Sequence, residues 1–490
     1  MAAARTRQDS EGRRGGRRST APPFAIPARA RSQLTDALNQ AVRAARRHGE
    51  RLAAASWRLD GAIDPSAVVL ASRQPGESWL CFEQPDRETT ALATLGAVTT
   101  IEDRGPGRFE RVAARWRKLA SEAAAEPSQG PPGSGLVATA AFAFADDGAS
   151  ALQWESFAAA SLVVPEVALA RRGEEVWCTV AVLARPDDLG EQLLRRIERR
   201  LASLRTRELP LLDPHPTKRH HVGAALAPEH YEAAVARAVE LIRAGQLEKI
   251  VLAREVEVHA PEAYDIAALY GVLRSAFAGC FVVAVGRSDA AFIAASPELL
   301  IRREGLRAST IALAGSTGRS ADPAVDDHLG ERLLRSDKNR REHAIVARRI
   351  EQQLRPHAVW VTMPDAPSLV RIANIQHLAT PIRAQLAHAL GAIELAGLLH
   401  PTPAVGGEPA RRAGELIPAL EGIDRGWYAG PIGWTDSGGD GEFCVALRCA
   451  LVRGGVARCY AGVGVVADSD PAAELAETEV KLAALLPVLS

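Results

Sequence analysis

The residues best suited to chemistry in this sequence are a lysine and a glutamate crowded by apolar neighbours. Lys249 enters the stretch Leu247–Val258 (LEKIVLAREVEV), where Lys249, Val251 and Ala253 share one strand face and Ile250 and Leu252 the other. Burial beside such neighbours disfavours an ammonium and lowers the lysine's pKa toward neutrality, which makes a general base. Taken alone, the same lysine also suits a strand end that it guards against pairing. Glu298 sits in Ala294–Arg302 (AASPELLIR), between Pro297 and an apolar run. A carboxyl buried there has a raised pKa and suits a general acid. A solvated glutamate at a turn fits the same spacing.

A second group of residues could hold a cation and an anion. Asp337–Leu354 (DKNRREHAIVARRIEQQL) reads as a helix with Asn339 and Glu342 on one face. Pro471–Leu486 reads as another, with Glu474, Glu477 and Lys481 on one face and Leu475, Leu482, Leu485 and Leu486 on the packing side. Either face alone is compatible with a solvated helix surface. Two helices aiming carboxylates at one point would hold a hard divalent cation, and Mg²⁺ takes a few carboxylates plus substrate oxygens and water. Arg448, in the otherwise apolar strand Cys444–Val452 (CVALRCALV), needs an anionic partner, either a carboxylate-bearing ligand or an internal ion pair. His377, just beyond a short strand in Ile375–Pro381 (IQHLATP), is placed to meet a substrate hydroxyl or to be satisfied within a core. Ile311–Arg319 (IALAGSTGR) reads as a strand running into a turn, where Gly315 and Ser316 offer N–H groups and a hydroxyl to an anion. It lacks the Lys-Ser/Thr ending of a P-loop. Gly462 and Gly464 (AGVGVV), placed after the next strand, let backbone approach a ligand.

These residues must be carried by a frame. Ahead of Lys249, Pro228–Ala244 is an amphipathic helix, with Pro at its start, Gly245 at its stop and Tyr231, Val235, Val239 and Ile242 on one stripe. The earlier half alternates helices (Gln33–Leu52, Arg108–Ala125, Leu189–Leu204) with strands (Ala67–Leu70, Trp79–Glu83, Val137–Phe144, Leu162–Leu169, Glu175–Leu183). A turn-rich loop spans Glu126–Gly135, and Pro210–Pro216 is a connector. This half brings no acids, bases or ligands together, so it reads as scaffold whose strands complete sheets begun by the other half. The chain divides into a disordered basic tail (1–30), a scaffold half (31–215) and a catalytic half (216–490).

Composition narrows the function. Fifty-nine basic and 59 acidic residues give a net charge of +0, so no global field favours nucleic acid or an acidic membrane, and an anionic ligand needs a local site. The six cysteines show no CxxC spacing and fit reduced, buried thiols in a cytoplasmic protein. The paired arginines Arg13–Arg14 and Arg17–Arg18 precede no apolar segment of the kind an export signal needs. The apolar stretch Phe157–Val164 ends at Pro165, far short of a membrane span.

The ordered motifs KIVLAR, ASPELL, LAGS, DKNRREH, QHLATPI, LHPTPAVGG, IDRGWYAGPIGW, VALRCA, AGVGVV and ETEVKL resemble those of the chorismate-utilising enzymes, among them isochorismate, salicylate and anthranilate synthases. The resemblance covers roughly the C-terminal 270 residues, about one large domain, and Val137–Leu169 is similar to the isochorismate synthase branch. It implies a single α/β (α+β) unit of two large, mostly antiparallel sheets packed face to face with helices outside. It also implies roles: Lys249 activates water for attack at C2 of chorismate, and Glu298 protonates the departing C4 hydroxyl. Glu342 and Glu477 bind Mg²⁺ with Glu474 in the outer shell, and the metal holds the ring carboxylate. Arg448 and the backbone at Gly462 take the enolpyruvyl carboxylate, with Lys481 and His377 in the same pocket. Asn339 departs from the acidic residue often found at its position.

Anthranilate-type relatives carry glutamine where Lys249 stands, so water is the implied nucleophile and no glutamine amidotransferase subunit is implied. Salicylate synthases typically read AGT at Ala314–Ser316 and differ after the histidine. The resemblance therefore implies an Mg²⁺-dependent isochorismate synthase without redox cofactor; with the charge, cysteine and hydropathy readings above, the expectation is a cytoplasmic monomer without nucleic-acid or membrane partners. Menaquinone biosynthesis is the favoured destination and a siderophore pathway the alternative. The rivals are a salicylate synthase, marked by pyruvate release, and a catalytically silent chorismate-binding protein, marked by binding without product.

Overall fold

Runs of Val, Ile, Ala and aromatic residues make the strands, and in the computed structural model, which describes residues 23–212, 220–372 and 375–489, they assemble into two sheets. The larger has thirteen strands. Near one edge, next to the edge strand His221–Ala224, Lys249–His259 pairs with Val456–Val465, followed by Cys449–Arg453, Ala290–Ser296 and Phe281–Ser288. Gly76–Gln84, Thr90–Leu95, Val167–Arg172, Glu175–Ala184 and Arg51–Leu59 continue it. The second sheet has ten strands, running from Ala358–Thr362 through Ile375–Leu386, Arg307–Gly318, Leu299–Glu304, Gly441–Val445, Pro431–Asp436, Val137–Phe142 and Ala160–Val164 to Thr99–Asp103, with Ser368–Ile372 beside Ile375–Leu386. Among the described residues the pairings are antiparallel except that of Arg51–Leu59 with Ala124–Ala125. Strands from before and after residue 215 are neighbours in both sheets, so neither stretch closes a sheet alone.

The main core lies between the sheets. Leu252, Val283 and Phe292 of one face Ile301, Ala312 and Ile382 of the other, with Trp154, Trp427 and Phe443 buried among them. Each buried Leu, Val, Ile or Phe among them contributes about 1.5–3 kcal/mol by leaving water. A second core lies on the outer face of the larger sheet, under the helices Ala28–His48, Gly190–Ala202 and Ile266–Ala276, through Leu34, Leu38, Ile197 and Leu269. Because both faces of the Lys249 strand are covered, its period-two pattern does not show as alternating exposure.

Several local expectations are corrected. Ala67–Leu70 is helical, within Pro65–Ser72, because Asp64 accepts from Ala67 N–H as a cap and Pro65 opens the first turn. The first helix runs Ala28–His48 rather than Gln33–Leu52, ending at Gly49 (φ +80°), and a strand begins at Arg51. The helix from Arg108 stops at Ser121. Leu162–Leu169 is two strands, Ala160–Val164 and Val167–Arg172, divided at Pro165. The chain is already helical within the proposed 1–30 tail, from Ala28, and Phe24 is buried; residues 1–22 lie outside the described residues, as do 213–219 of the connector region. All six cysteines are buried and free.

Candidate active site

One cavity, about 930 Å³ including its mouth, draws on both sheets and on the helices Asp337–Leu354 and Pro471–Leu482. Gly315, Ser316, His377, Arg448, Gly462 and Lys481 all line it, as do Glu298, Glu342, Glu474 and Glu477. Residues from Val251, near the start of its strand, to Lys481 in the last long helix therefore face one space.

Glu298 follows the end of strand Ala290–Ser296, where its N–H donates to Ser296 Oγ at 3.2 Å and its carbonyl accepts from Val445 N–H at 3.0 Å. Its carboxyl is buried, which pushes its pKa up to about 8 against the opposing pull of Lys249 and the neighbouring Thr402 hydroxyl. A carboxyl held that high carries its proton at neutral pH.

Lys249 opens its strand and is fully buried, but it is not on the cavity wall. It is sealed behind Glu342, whose Oε1 lies 2.8 Å from Nζ without the angles of a hydrogen bond. Gly464 makes this packing possible. A Cβ there would overlap Glu342 Oε1 and lie 2.8 Å from Lys249 Cε.

The three glutamates each meet a lysine. Besides Lys249–Glu342, Lys338 Nζ lies 2.8 Å from Glu474 Oε1, and Lys481 Nζ lies 3.0 Å from Glu477 Oε1. Ser316 Oγ donates to Glu477 Oε1 at 2.9 Å, and Lys481 also donates to Gly462 O at 2.9 Å. Burial pushes the Glu477 carboxyl up, but Lys481, Ser316 and Lys338 outweigh it and hold it below the usual carboxylate range. Among the described residues no three His, Cys, Asp or Glu side chains converge into a preformed metal cage. Glu342, Glu477 and the Ser316 hydroxyl are nonetheless hard oxygen donors on one wall. Such a set fits Mg²⁺, which takes one or two carboxylates and completes its shell with substrate oxygens and water.

Arg448 is not inside a strand. It lies in the break between Gly441–Val445 and Cys449–Arg453, with left-handed backbone (φ +47°), a strained conformation that turns a nearly buried guanidinium into the cavity. Its Nη2 donates to His377 Nε2 at 3.1 Å. Burial, then Arg448 and Lys481, hold the His377 ring well below its ordinary pKa, so it stays neutral and can accept. His377 belongs to strand Ile375–Leu386, and Gly462 and Gly464 lie inside strand Val456–Val465, not after it. Gly315 is likewise inside a strand, at a bulge (φ +76°), not in a turn.

Sequence reasoning assigned no role to Lys338, Tyr428 or Tyr460, which also line the cavity. The two tyrosine rings stack at 5.4 Å. It also missed Arg425, buried and ion-paired with Glu421, which donates to Val251 O and Val405 O and so ties the Lys249 strand to the loop beside Thr402. The signal was present for Tyr428 and Arg425, both inside the IDRGWYAGPIGW motif.

Comparison with known proteins identifies the family of the chain. Residues 36–490 match the family model described as "Chorismate binding enzyme". The chain is 38% identical over 443 residues to the "Salicylate biosynthesis isochorismate synthase" of Pseudomonas aeruginosa, covering 90% of each chain. It is 32% identical over 415 residues to "Isochorismate synthase MenF" of Bacillus subtilis, covering 83% of this chain and 87% of that one. The solved structure of the menaquinone-specific isochorismate synthase MenF from Escherichia coli superposes with a TM-score of 0.74 at 27% identity, over 94% of this chain and all of that one. The chain belongs to the chorismate-binding enzyme family, and within it to the isochorismate synthases.

Proposed function

We propose that this cavity converts chorismate to isochorismate with Lys249 as base and Glu298 as acid. The observation that carries the reading is the Glu298 carboxyl, buried and pushed up to about 8 on one wall, while Arg448 and Lys481 offer positive charge from others. Glu342 turns aside to uncover the Lys249 amine, water gives that amine a proton, and the water oxygen bonds to C2. The ring double bonds shift, the C4–O bond breaks, and Glu298 gives its proton to the departing hydroxyl, which leaves as water. One water enters and one leaves, so the reaction is an isomerisation that needs no redox partner. Read backwards, the same two groups exchange roles, which makes it reversible.

Two charged ends of the substrate require two clamps. Arg448, steadied by His377, with the backbone at Gly462, takes the enolpyruvyl carboxylate, and Lys481, bonded to Gly462 O, lines the same pocket; Ser316 holds Glu477 on the metal side. Glu342 and Glu477 would hold Mg²⁺, with Glu474 behind them. The ion, when bound, supplies positive charge to the ring carboxylate. Asn339 donates to Ser336 Oγ at 2.9 Å and packs on Gly315, so it shapes the helix start without adding a negative charge.

Menaquinone synthesis is the destination we favour. By sequence, the MenF of B. subtilis matches 83% of this chain and EntC and DhbC match 53% and 54%; by structure, MenF covers 94% and the DhbC of Bacillus anthracis 86%. The Pseudomonas relative, named for salicylate biosynthesis, is the specific observation on the other side. Purified protein incubated with chorismate and Mg²⁺ should yield isochorismate by chromatography, without pyruvate or fluorescent salicylate. Pyruvate with salicylate would make it a salicylate synthase, and unchanged chorismate a binder. Expression in cells lacking isochorismate synthase should restore menaquinone. Among the described residues no helix is long and apolar enough to cross a membrane, and we propose a monomer working in the cytoplasm without an amidotransferase subunit.

A further inference from the structure

Each glutamate of the proposed metal site, the outer Glu474 included, already has a lysine Nζ within 3.0 Å: Glu342 has Lys249, Glu474 has Lys338 and Glu477 has Lys481. A dication brought to this wall meets carboxylates that lysines already occupy, so a lysine that yields its carboxylate favours binding. The three are not equally free to do so. The Lys249 side chain is 1% exposed and packed beneath Gly464. Lys481 is 24% exposed and also bonded to Gly462 O. Lys338 is 37% exposed, near the solvent-facing start of its helix, and Glu474 is its sole ion-pair partner among the described residues. Glu474, by contrast, is almost wholly buried and cannot follow the lysine outward.

We infer that Lys338 is a built-in counter-cation for Glu474, which it neutralises until a divalent cation displaces it, and that this competition sets the protein's affinity for the free cation. The inference rests on the metal site proposed above. Removing the ammonium leaves a buried carboxylate beside the site with no charge opposite it, so a dication gains from an interaction it formerly had to compete for. The effect has an unusual sign. Losing a residue of merely structural value would weaken cation binding or leave it unchanged, whereas losing a competitor tightens it.

The test uses the full chain stripped of metal and titrated with Mn²⁺ alone, without chorismate, with free Mn²⁺ followed by electron paramagnetic resonance. Lys338→Met, which keeps the aliphatic stem, should bind Mn²⁺ at least tenfold more tightly than the parent. Lys338→Arg, which keeps the charge, should bind as the parent does, and Glu477→Ala should bind more weakly. Circular dichroism of the metal-free variants checks that each is folded. If Lys338→Met binds Mn²⁺ no more tightly while Glu477→Ala still weakens binding, the counter-cation role is overturned and the metal site stands. If Glu342→Ala and Glu477→Ala both leave Mn²⁺ affinity unmoved, the metal site itself is wrong and the inference falls with it.

Discussion

Arg448 Nη2 donates to the neutral imidazole of His377 across 3.1 Å, from a backbone held at φ +47°. The guanidinium is thus fixed by a partner that adds no negative charge. Cys280 Sγ, 4.0 Å from Nη1, adds none either, since burial pushes its thiol up to about 11. A buried cation without an anion is costly. That cost is relieved when a carboxylate enters, which makes the pair a preorganised clamp.

Arg448→Ala should therefore raise the KM for chorismate by roughly 10- to 100-fold, the worth of a charge-assisted hydrogen-bond pair. Arg448→Lys should recover little, because an ammonium lacks the planar fork. Steady-state kinetics against chorismate concentration reads both.

Glu298 makes the reaction pH-dependent. Its carboxyl must be protonated to act on the C4 hydroxyl, and its folded-state pKa is about 8. Forward kcat should hold below that value and fall about tenfold per pH unit above it. Glu298→Gln should lower kcat by roughly 10²- to 10⁴-fold at pH 7 while leaving chorismate binding largely intact.

The same shift has a consequence for stability. Between the usual glutamate pKa and about 8 the folded protein binds a proton that the unfolded chain has released, so stability falls as pH rises across that window. Glu298→Gln lacks this penalty. Its Tm relative to the parent should climb from pH 5 to pH 9, and a difference independent of pH would show that the carboxyl is not buried as described.

Gly464→Ala probes the packing of the base. The added methyl would overlap Glu342 Oε1 and press on Lys249 Cε at 2.8 Å. Activity should fall by at least about 100-fold with the secondary structure kept, because a misplacement of about 1 Å is enough to cost that much. Activity assays paired with circular dichroism separate this from unfolding.

Chelation should silence the enzyme and Mg²⁺ should restore it. Glu342→Ala and Glu477→Ala should lose that response, whereas Arg448→Ala should keep it. Activity titrated with Mg²⁺ after dialysis against chelator is the measurement.

Much of this was legible in the sequence, and the exceptions have physical reasons. The lysine strand, the glutamate beside Pro297 and the carboxylate faces of two helices were readable because charge and apolar spacing mark them locally. The two-sheet fold was readable through family resemblance, not through periodicity, since strands buried on both faces lose their alternation. Ala67–Leu70 misled because β-branched residues fill a helix that Asp64 and Pro65 initiate. The break at Arg448 and the bulge at Gly315 depend on how distant strands register, which no local pattern encodes. The lysine–glutamate pairs are likewise long-range: Lys249 and Glu342 lie 93 positions apart, and Lys338 and Glu474 lie 136 apart.

Isotope labelling tests the central claim, that solvent attacks C2 while the C4 hydroxyl leaves. Protein, chorismate and Mg²⁺ are incubated in H₂¹⁸O and the isochorismate is analysed by mass spectrometry with fragment assignment. The account expects one ¹⁸O, on the C2 hydroxyl, in product made by the parent and none made by Lys249→Ala above background. Isochorismate formed at the parental rate without label at C2 would contradict it.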